Sequence, residues 1–409
     1  MNAKGINHFD MLIKRREFLQ LGSLATGSFL IPQFPKAFEG TGKTTEGNRV
    51  LVILQLSGGN DGLNTVIPVG NDIYYRERPI LGIEKKKTLL LSEDAGLHPE
   101  LRYFKTLYDE GNLGILNQVG YPNPDRSHFR SMDIWQTASR SDEYKSTGWL
   151  GRWLDEQCDH CDRPTQALEM DDMLSLALSG DRMKGIALRD PARLYQVSRD
   201  PFLKQILQSG HLPTSDDSRS YLYQVMAEAL SGADYIFGQS KMHPSRTVYP
   251  ATEIGKNLKT ISSLICSDIN TRVYYLSLGS FDTHVNQAGR QQRLFSEMNE
   301  AIQAFITDMK ANHRFNEVLL LTFSEFGRRV AQNASGGTDH GTANNMFLIS
   351  GGLKKAGLIN GMPDLGRLTE GDLRYQLDFK SVYATVLNKW LGADDRKILG
   401  GLFEQLDFI

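Results

Sequence analysis

The sequence predicts an α/β fold, a central and mostly parallel β-sheet sandwiched between helices, and three observations predict it. Runs of branched apolar residues recur along the chain without polar alternation, the mark of strands buried on both faces. Between two of these runs lies a long segment with apolar positions three and four residues apart, which makes a strand–helix–strand unit. The runs border loops of glycine and ionisable residues, where open parallel sheets collect their function.

Taken in order, the chain first shows a basic cluster, Lys14, Arg15 and Arg16, followed by Glu17-Phe18-Leu19. Residues 18–31 are mostly apolar, diluted by Gly22, Ser23, Thr26, Gly27 and Ser28, and end at Pro32. A charged start, a short apolar stretch and a polar exit are the layout of a secretory signal. The paired arginines before Phe-Leu resemble the twin-arginine type. At roughly 14 residues, the apolar stretch is shorter than the ~20 that span a bilayer as a helix. The expectation is export by the twin-arginine translocase to the periplasm or the exterior. No small-x-small pair marks a cleavage site, so removal of the signal and its retention as an anchor both stay open. Residues 38–48 are small and polar and read as a linker; residues 1–45 are assigned to signal and linker, and 46–409 to the folded domain.

The first buried strand is Arg49-Val50-Leu51-Val52-Ile53-Leu54-Gln55-Leu56, closed by the turn formers Ser57-Gly58-Gly59-Asn60-Asp61-Gly62. Further strands are predicted over 113–120, 272–278, 318–323 and 345–352. Between the third and fourth, Leu294, Met298, Ala301, Ile302, Phe305 and Met309 fall on one face of a helix over 288–311. Residues 378–391 read as a docking helix with Val382, Val386, Leu387 and Trp390 on one side, and 200–235 as a helical insertion.

The bulk composition narrows function. With 409 residues, 40% hydrophobic and 23% charged, the chain is long and apolar enough for a sizeable core. A net charge of −2 leaves no electrostatic footprint for nucleic acid. No apolar run beyond the signal approaches membrane length. Of the three cysteines, Cys158 and Cys161 form a C-x-x-C without a second pair or a preceding thioredoxin-like strand, and are read as structural.

Chemistry is expected at the strand ends. Asn60 and Asp61 follow the first strand, Asp125, Arg126, Ser127 and His128 the second, Asp282 and His284 the third, and Glu325 and Arg328 the fourth; Asp339 and His340 precede the fifth. Carboxylates and imidazoles converging on one sheet edge are what a divalent-metal hydrolase needs, to hold the ion that polarises an ester. Ser127 or Ser131 stands where a helix N-terminus would favour an anionic group, as a nucleophile does in the reaction. The planar fork of Arg328 suits an oxyanion. Each residue also has a plainer reading: Asp61 as a local turn former, Glu325 with Arg328 as a structural ion pair, and Asp125 and His128 as helix caps.

The segments Leu54-Gln55-Leu56-Ser57-Gly58-Gly59-Asn60-Asp61-Gly62, Ser127-His128-Phe129-Arg130-Ser131-Met132, Thr147-Gly148-Trp149-Leu150-Gly151-Arg152, Phe281-Asp282-Thr283-His284, Thr322-Phe323-Ser324-Glu325-Phe326-Gly327-Arg328 and Gly337-Thr338-Asp339-His340-Gly341 resemble the domain of unknown function 1501 family. That family comprises exported proteins related to the alkaline phosphatase and sulfatase superfamily. The resemblance implies an alkaline phosphatase-like sheet with metal ligands at strand ends and a nucleophile at a helix start. It implies that Asp282, with His284 beside it, is a ligand and that His340 is similar to the late histidine ligand. Glu325 stands where the superfamily usually has an aspartate and Phe326 where it has a histidine. Gly58 falls near the expected first-strand aspartate, so Asp61 has to reach in from along the loop. The expectation is a metal-assisted hydrolase of phosphate or sulfate esters of a small molecule or glycan. Ser127, His128 and Arg328 are its catalytic residues, and Asp61, Asp282, His284, Glu325 and His340 hold zinc, manganese or calcium. The alternative is a non-catalytic binding or structural protein on a degenerate scaffold.

Overall fold

The computed structural model describes residues 49–157, 164–201 and 232–409. The signal, Cys158 and Cys161, and most of the helical insertion over 200–235 lie outside the described residues. The principal elements, in chain order, are β1 (Val50–Leu56), α1 (Arg102–Asp109), β2 (Leu113–Gly120), α2 (His128–Thr137), α3 (Trp149–Glu156), β3 (Ala167–Glu169), β4 (Ile186–Ala187), α4 (Glu253–Cys266), β5 (Val273–Leu278), α5 (Gln287–Ala311), β6 (Val318–Phe323), β7 (Asn344–Ile349), β8 (Gly357–Leu358), β9 (Leu377–Asp378) and α6 (Phe379–Thr385).

The main sheet runs β8-β2-β7-β6-β1-β5-β3-β4, with β9 also paired to β2. Every pairing is parallel except those of β7, which lies antiparallel between β2 and β6. The fold is therefore α/β with a mostly parallel sheet, and helices cover both faces. Strand β1 shows why its sequence is apolar throughout. Val50, Val52, Leu54 and Leu56 enter the core with α1, α4 and α5, while Leu51 and Ile53 enter the core with α2, α3 and α6. The predicted apolar stripe of α5, from Leu294 to Met309, is wholly buried against the first of these cores.

Two expected elements end differently. The fifth strand stops at Ile349, because Gly351 and Gly352 turn the chain. The helix after Asp378 is regular only to Thr385 and then widens into a π-turn over Val386–Trp390. That turn seats the Trp390 indole, which donates to the Val50 carbonyl at 3.1 Å. Strands β3, β4, β8 and β9 have two or three residues each, too few to show a period in sequence. The reversed direction of β7 matters most for the site. It brings the loop before this strand to the same rim as the loops that follow β1, β2, β5 and β6. Among the described residues no helix is long and apolar enough to cross a membrane.

Candidate metal centre

Backbone-to-backbone packing of four loops builds the rim. Gly58 adopts φ +116°, and a Cβ there would lie 2.4 Å from the Asp282 amide nitrogen; only glycine lets the β1 loop lie flat against the β5 loop. Gly337 similarly leaves no room for a Cβ, which would meet the His284 carbonyl carbon at 2.3 Å. The β6 loop and the segment before β7 are zipped by Gly327 N–H to Thr342 O (2.7 Å), Gly341 N–H to Gly327 O (2.8 Å) and Arg329 N–H to Asp339 O (3.0 Å). This short antiparallel bridge sets His340 opposite Arg328.

His128, Asp282, His284 and His340 converge at this rim. Ligand atoms of His128, Asp282 and His340 all lie within 4.8 Å of one another. His284 Nε2 is 3.0 Å from both Asp282 Oδ1 and His340 Nε2. His340 Nε2 lies 3.3 Å from Asp282 Oδ1, and His128 Nε2 3.7 Å from Asp282 Oδ2. The Asp282 side chain is 48% exposed, so the cluster opens to solvent.

The far nitrogen of each imidazole is held by an oxygen. His128 Nδ1 meets Glu325 Oε1 at 2.9 Å, His340 Nδ1 meets the Arg126 carbonyl at 2.9 Å, and His284 Nδ1 meets Asp339 Oδ1 at 3.3 Å. Carbonyls and carboxylates only accept, so each Nδ1 carries the proton and each Nε2 of a neutral ring is left with a lone pair. Three lone pairs and a carboxylate facing one another are repulsive without a cation among them. His128 Nε2 is buried and without a hydrogen-bond partner. Donor atoms about 2.1 Å from one tetrahedral ion lie roughly 3.4 Å apart. The separations from Asp282, 3.7, 3.0 and 3.3 Å, bracket that value, and those within the group of His128, Asp282 and His340 stay within 4.8 Å. The residues present therefore fit a divalent ion, and imidazoles backed by oxygen acceptors are the arrangement that orients histidine ligands.

The charges agree. Burial pushes the Asp282 carboxyl up, but the Arg328 guanidinium bonded to it and the nearby His284 leave it below the ordinary carboxylate value. Burial pushes His340 down, which favours the neutral, ligating ring. The hydrogen bond that His128 donates to Glu325 raises its pKa against the opposing effect of burial, with the negative charges of Glu325 and Asp282 adding to the rise. This favours the charged ring, whose Nε2 proton an ion would displace.

Not every expected residue joins the cluster. Asp61 is engaged elsewhere: its carboxylate caps the single-turn helix Gly62–Thr65 through Leu63 N–H (3.2 Å), pairs with the fully buried Arg78 at 2.6 Å, and accepts from Gln287 Nε2. Glu325 stands behind the cluster as a support, its oxygens taken by His128, by Gly58 N–H (2.8 Å) and by the Ser324 hydroxyl (3.3 Å). Arg328 is not available to a substrate oxygen. Its buried guanidinium donates to the carbonyls of Gly58, Gly59, Phe281 and Thr338 and to Asp282, pinning three loops together. Its ion-pair partner is Asp282, not Glu325.

Phe326, where the resemblance led one to expect a lost ligand, packs its ring 4.8 Å from that of His128 and 4.6 Å from that of His340. Ser127 is the exposed N-cap residue of α2 and makes no capping bond with its side chain. Ser131 is buried, its hydroxyl between Glu325 O and the Tyr121 hydroxyl. The supporting roles of Asp339 and of the Arg126 carbonyl were not assigned from sequence. A main-chain oxygen leaves no sequence signal, whereas Asp339 beside His340 did.

Fold and site together define an α/β protein with a histidine-rich, aspartate-centred candidate metal centre at the carboxyl rim of its sheet. The profile of the proteins of unknown function designated DUF1501 matches residues 113–405, and the chain belongs to that family. No curated protein matches the chain. Among solved structures it is similar to the PsFucS1 sulfatase from Pseudoalteromonas sp., at 11% identity over 88% of this chain and 70% of that one, with a TM-score of 0.39. It is also similar to the lipoteichoic acid synthase LtaP from Listeria monocytogenes, at 11% identity over 76% of this chain and 68% of that one, with a TM-score of 0.35. Alkaline phosphatase from the Antarctic bacterium TAB5 gives 10% identity over 74% of this chain and 92% of that one, with a TM-score of 0.32.

Proposed function

We propose that this protein is a divalent-metal-dependent hydrolase of phosphate or sulfate esters, exported through the twin-arginine translocase to the periplasm or the exterior. One observation carries the reading: three imidazoles, each backed by an oxygen acceptor, turn their free nitrogens on one half-exposed aspartate. His128, Asp282, His284 and His340 would hold the ion. A donor set of three nitrogens and one oxygen suits zinc or another transition ion better than calcium, which takes oxygen ligands. Bound there, such an ion supplies Lewis-acid polarisation of the ester oxygen and lowers the pKa of a nearby hydroxyl.

The chain's own groups do the rest. Ser127 presents an exposed, uncapped hydroxyl at the start of the ten-residue helix α2, whose first-turn amides favour developing negative charge. Its Oγ attacks the ester phosphorus or sulfur and gives its proton to solvent. The ester bond to the alcohol oxygen breaks, and that oxygen takes a proton from solvent as it leaves. Water then cleaves the bond to Oγ, restoring the hydroxyl and releasing the inorganic anion. Glu325 holds the His128 ring in place, and Arg328 fixes the loops rather than the substrate. The second reading, a binding protein without turnover, is favoured by that commitment of Arg328, which leaves no free arginine fork for a substrate oxyanion at the cluster among the described residues.

Metal analysis separates the two readings. The purified native protein should carry about one equivalent of a transition ion per chain, lost in the Asp282→Ala, His340→Ala double variant, and should hydrolyse aryl phosphates or sulfates. A Ser127→Ala variant should retain the ion and lose turnover by about a hundredfold or more. Ion without turnover on either ester class would favour the binding protein; neither ion nor turnover would end the proposal.

A further inference from the structure

Beside the cluster lies a cavity of about 780 Å³, lined among others by Tyr121, Arg126, Trp135, Phe326, Arg374 and Tyr375. It shares two residues with the cluster's supports. The Arg126 carbonyl holds His340, and the Phe326 ring packs on both His128 and His340. The cavity therefore runs up to the back of the proposed reaction centre, and its volume is that of a small-molecule site.

Two of its polar groups lack the partners their chemistry calls for. The Trp135 indole, 1% exposed, has its Nε1–H buried without an acceptor, a cost that a native protein rarely leaves unmet. Arg374 donates only to neutral oxygens, the Thr369 hydroxyl at 2.9 Å and the Leu368 carbonyl at 3.4 Å, and among the described residues no carboxylate pairs with it. The other arginine of the cavity behaves differently: Arg126 is neutralised by Asp372 and Glu370. Arg374 is thus the arginine of the cavity with no ion pair among the described residues, in a lining that also carries the carboxylates of Asp125 and Glu370, and it stands beside the half-exposed ring of Tyr375.

We propose that this cavity is the subsite for the alcohol portion of the substrate, and that this portion is a ring bearing a carboxylate, which Arg374 grips with its planar fork. The proposal rests on the hydrolase reading for its role, though not for its binding chemistry. A ring stacks on Tyr375, and the carboxylate satisfies the arginine. The substrate is then an ester charged at both ends, on the reacting phosphate or sulfate and on the carboxylate at the far end of the ring.

The test pairs binding with turnover. Calorimetry would measure 4-hydroxybenzoate, the alcohol half of a carboxylated aryl ester, against phenol, which lacks the carboxylate. Binding of 4-hydroxybenzoate should exceed that of phenol about tenfold, and Arg374→Gln, a change at an exposed position, should remove that advantage. The Asp282→Ala, His340→Ala protein should keep the binding while losing hydrolysis. In turnover, the 4-carboxyphenyl phosphate or sulfate ester should exceed the matching phenyl ester in kcat/KM by a similar factor, again lost in Arg374→Gln. Equal binding of the two alcohols, or a preference that survives Arg374→Gln, would overturn the subsite. Binding as expected without hydrolysis of either ester would overturn the hydrolase reading and leave the subsite standing.

Discussion

A carboxylate placed behind an imidazole acts through it. Glu325 is buried at 1% exposure and bonds His128 Nδ1, so it fixes both which nitrogen carries the proton and where the ring points. Supports of this kind typically alter metal affinity by 10–100-fold without contributing a donor atom. Glu325→Gln keeps size and one accepting oxygen but removes the charge. It should therefore weaken zinc binding by roughly tenfold or more while leaving about one ion bound at saturation, measured by competition with a chelator. Loss of the ion at saturating zinc would make Glu325 a direct ligand, and unchanged affinity would remove it from the site. The residue that the sequence reading took for a ligand is thus distinguished from one by stoichiometry, not by activity.

Elements explain why two other expected residues moved. Asp61, Arg78, Asn64, Tyr74 and Gln287 form one buried network joining the single-turn helix Gly62–Thr65 to the start of α5, and Arg78 extends it to the carbonyls of Arg329 and Val330. Removing one partner of a buried ion pair costs about 3–5 kcal/mol, because the other charge stays buried and unpaired. Asp61→Asn should lower unfolding stability by about that amount in denaturant melts, yet leave the zinc-induced rise in Tm unchanged. A variant of normal stability that no longer binds zinc would return Asp61 to the ligand set. The five long strands and α5 were legible in the sequence because each is buried on both faces or along a full stripe. The convergence of Asp282, His284 and His340 was legible from polar residues recurring at strand ends. The hidden part was direction and partnership. The reversal of β7 has no signature in composition, and the choice of Asp282 over a substrate by Arg328 depends on loops brought together from 46 and more positions apart.

At the scale of the whole molecule, stability should depend on pH through a group outside the metal centre, on strand β3, which pairs with β5. Glu169 ends β3, is 4% exposed, and has no cationic partner among the described residues; its carboxyl accepts from the Ser175 amide at 2.6 Å. Burial pushes its pKa up from 4.5 to about 8, with the charge of Asp171 adding to the rise and the Ser175 bonds opposing it. The folded protein thus holds a proton that the unfolded chain releases. Below about pH 4.5 both states are protonated and the group adds no penalty. As pH rises through the window to about 8 the unfolded state is favoured, by up to ~1.4 kcal/mol per pH unit, and above that window the loss is constant. The total is on the order of a few kcal/mol, comparable with the net stability of a domain. Glu169→Gln retains an oxygen to accept from Ser175 and cannot ionise. Thermal melts of both proteins at fixed zinc should coincide near pH 4.5 and diverge steadily to pH 8, with the variant the more stable. Taking the difference cancels the protons that the zinc-binding histidines exchange, provided both proteins bind the ion equally. Melting curves that stay parallel from pH 4.5 to 9 would show that Glu169 ionises inside the fold as it does in water.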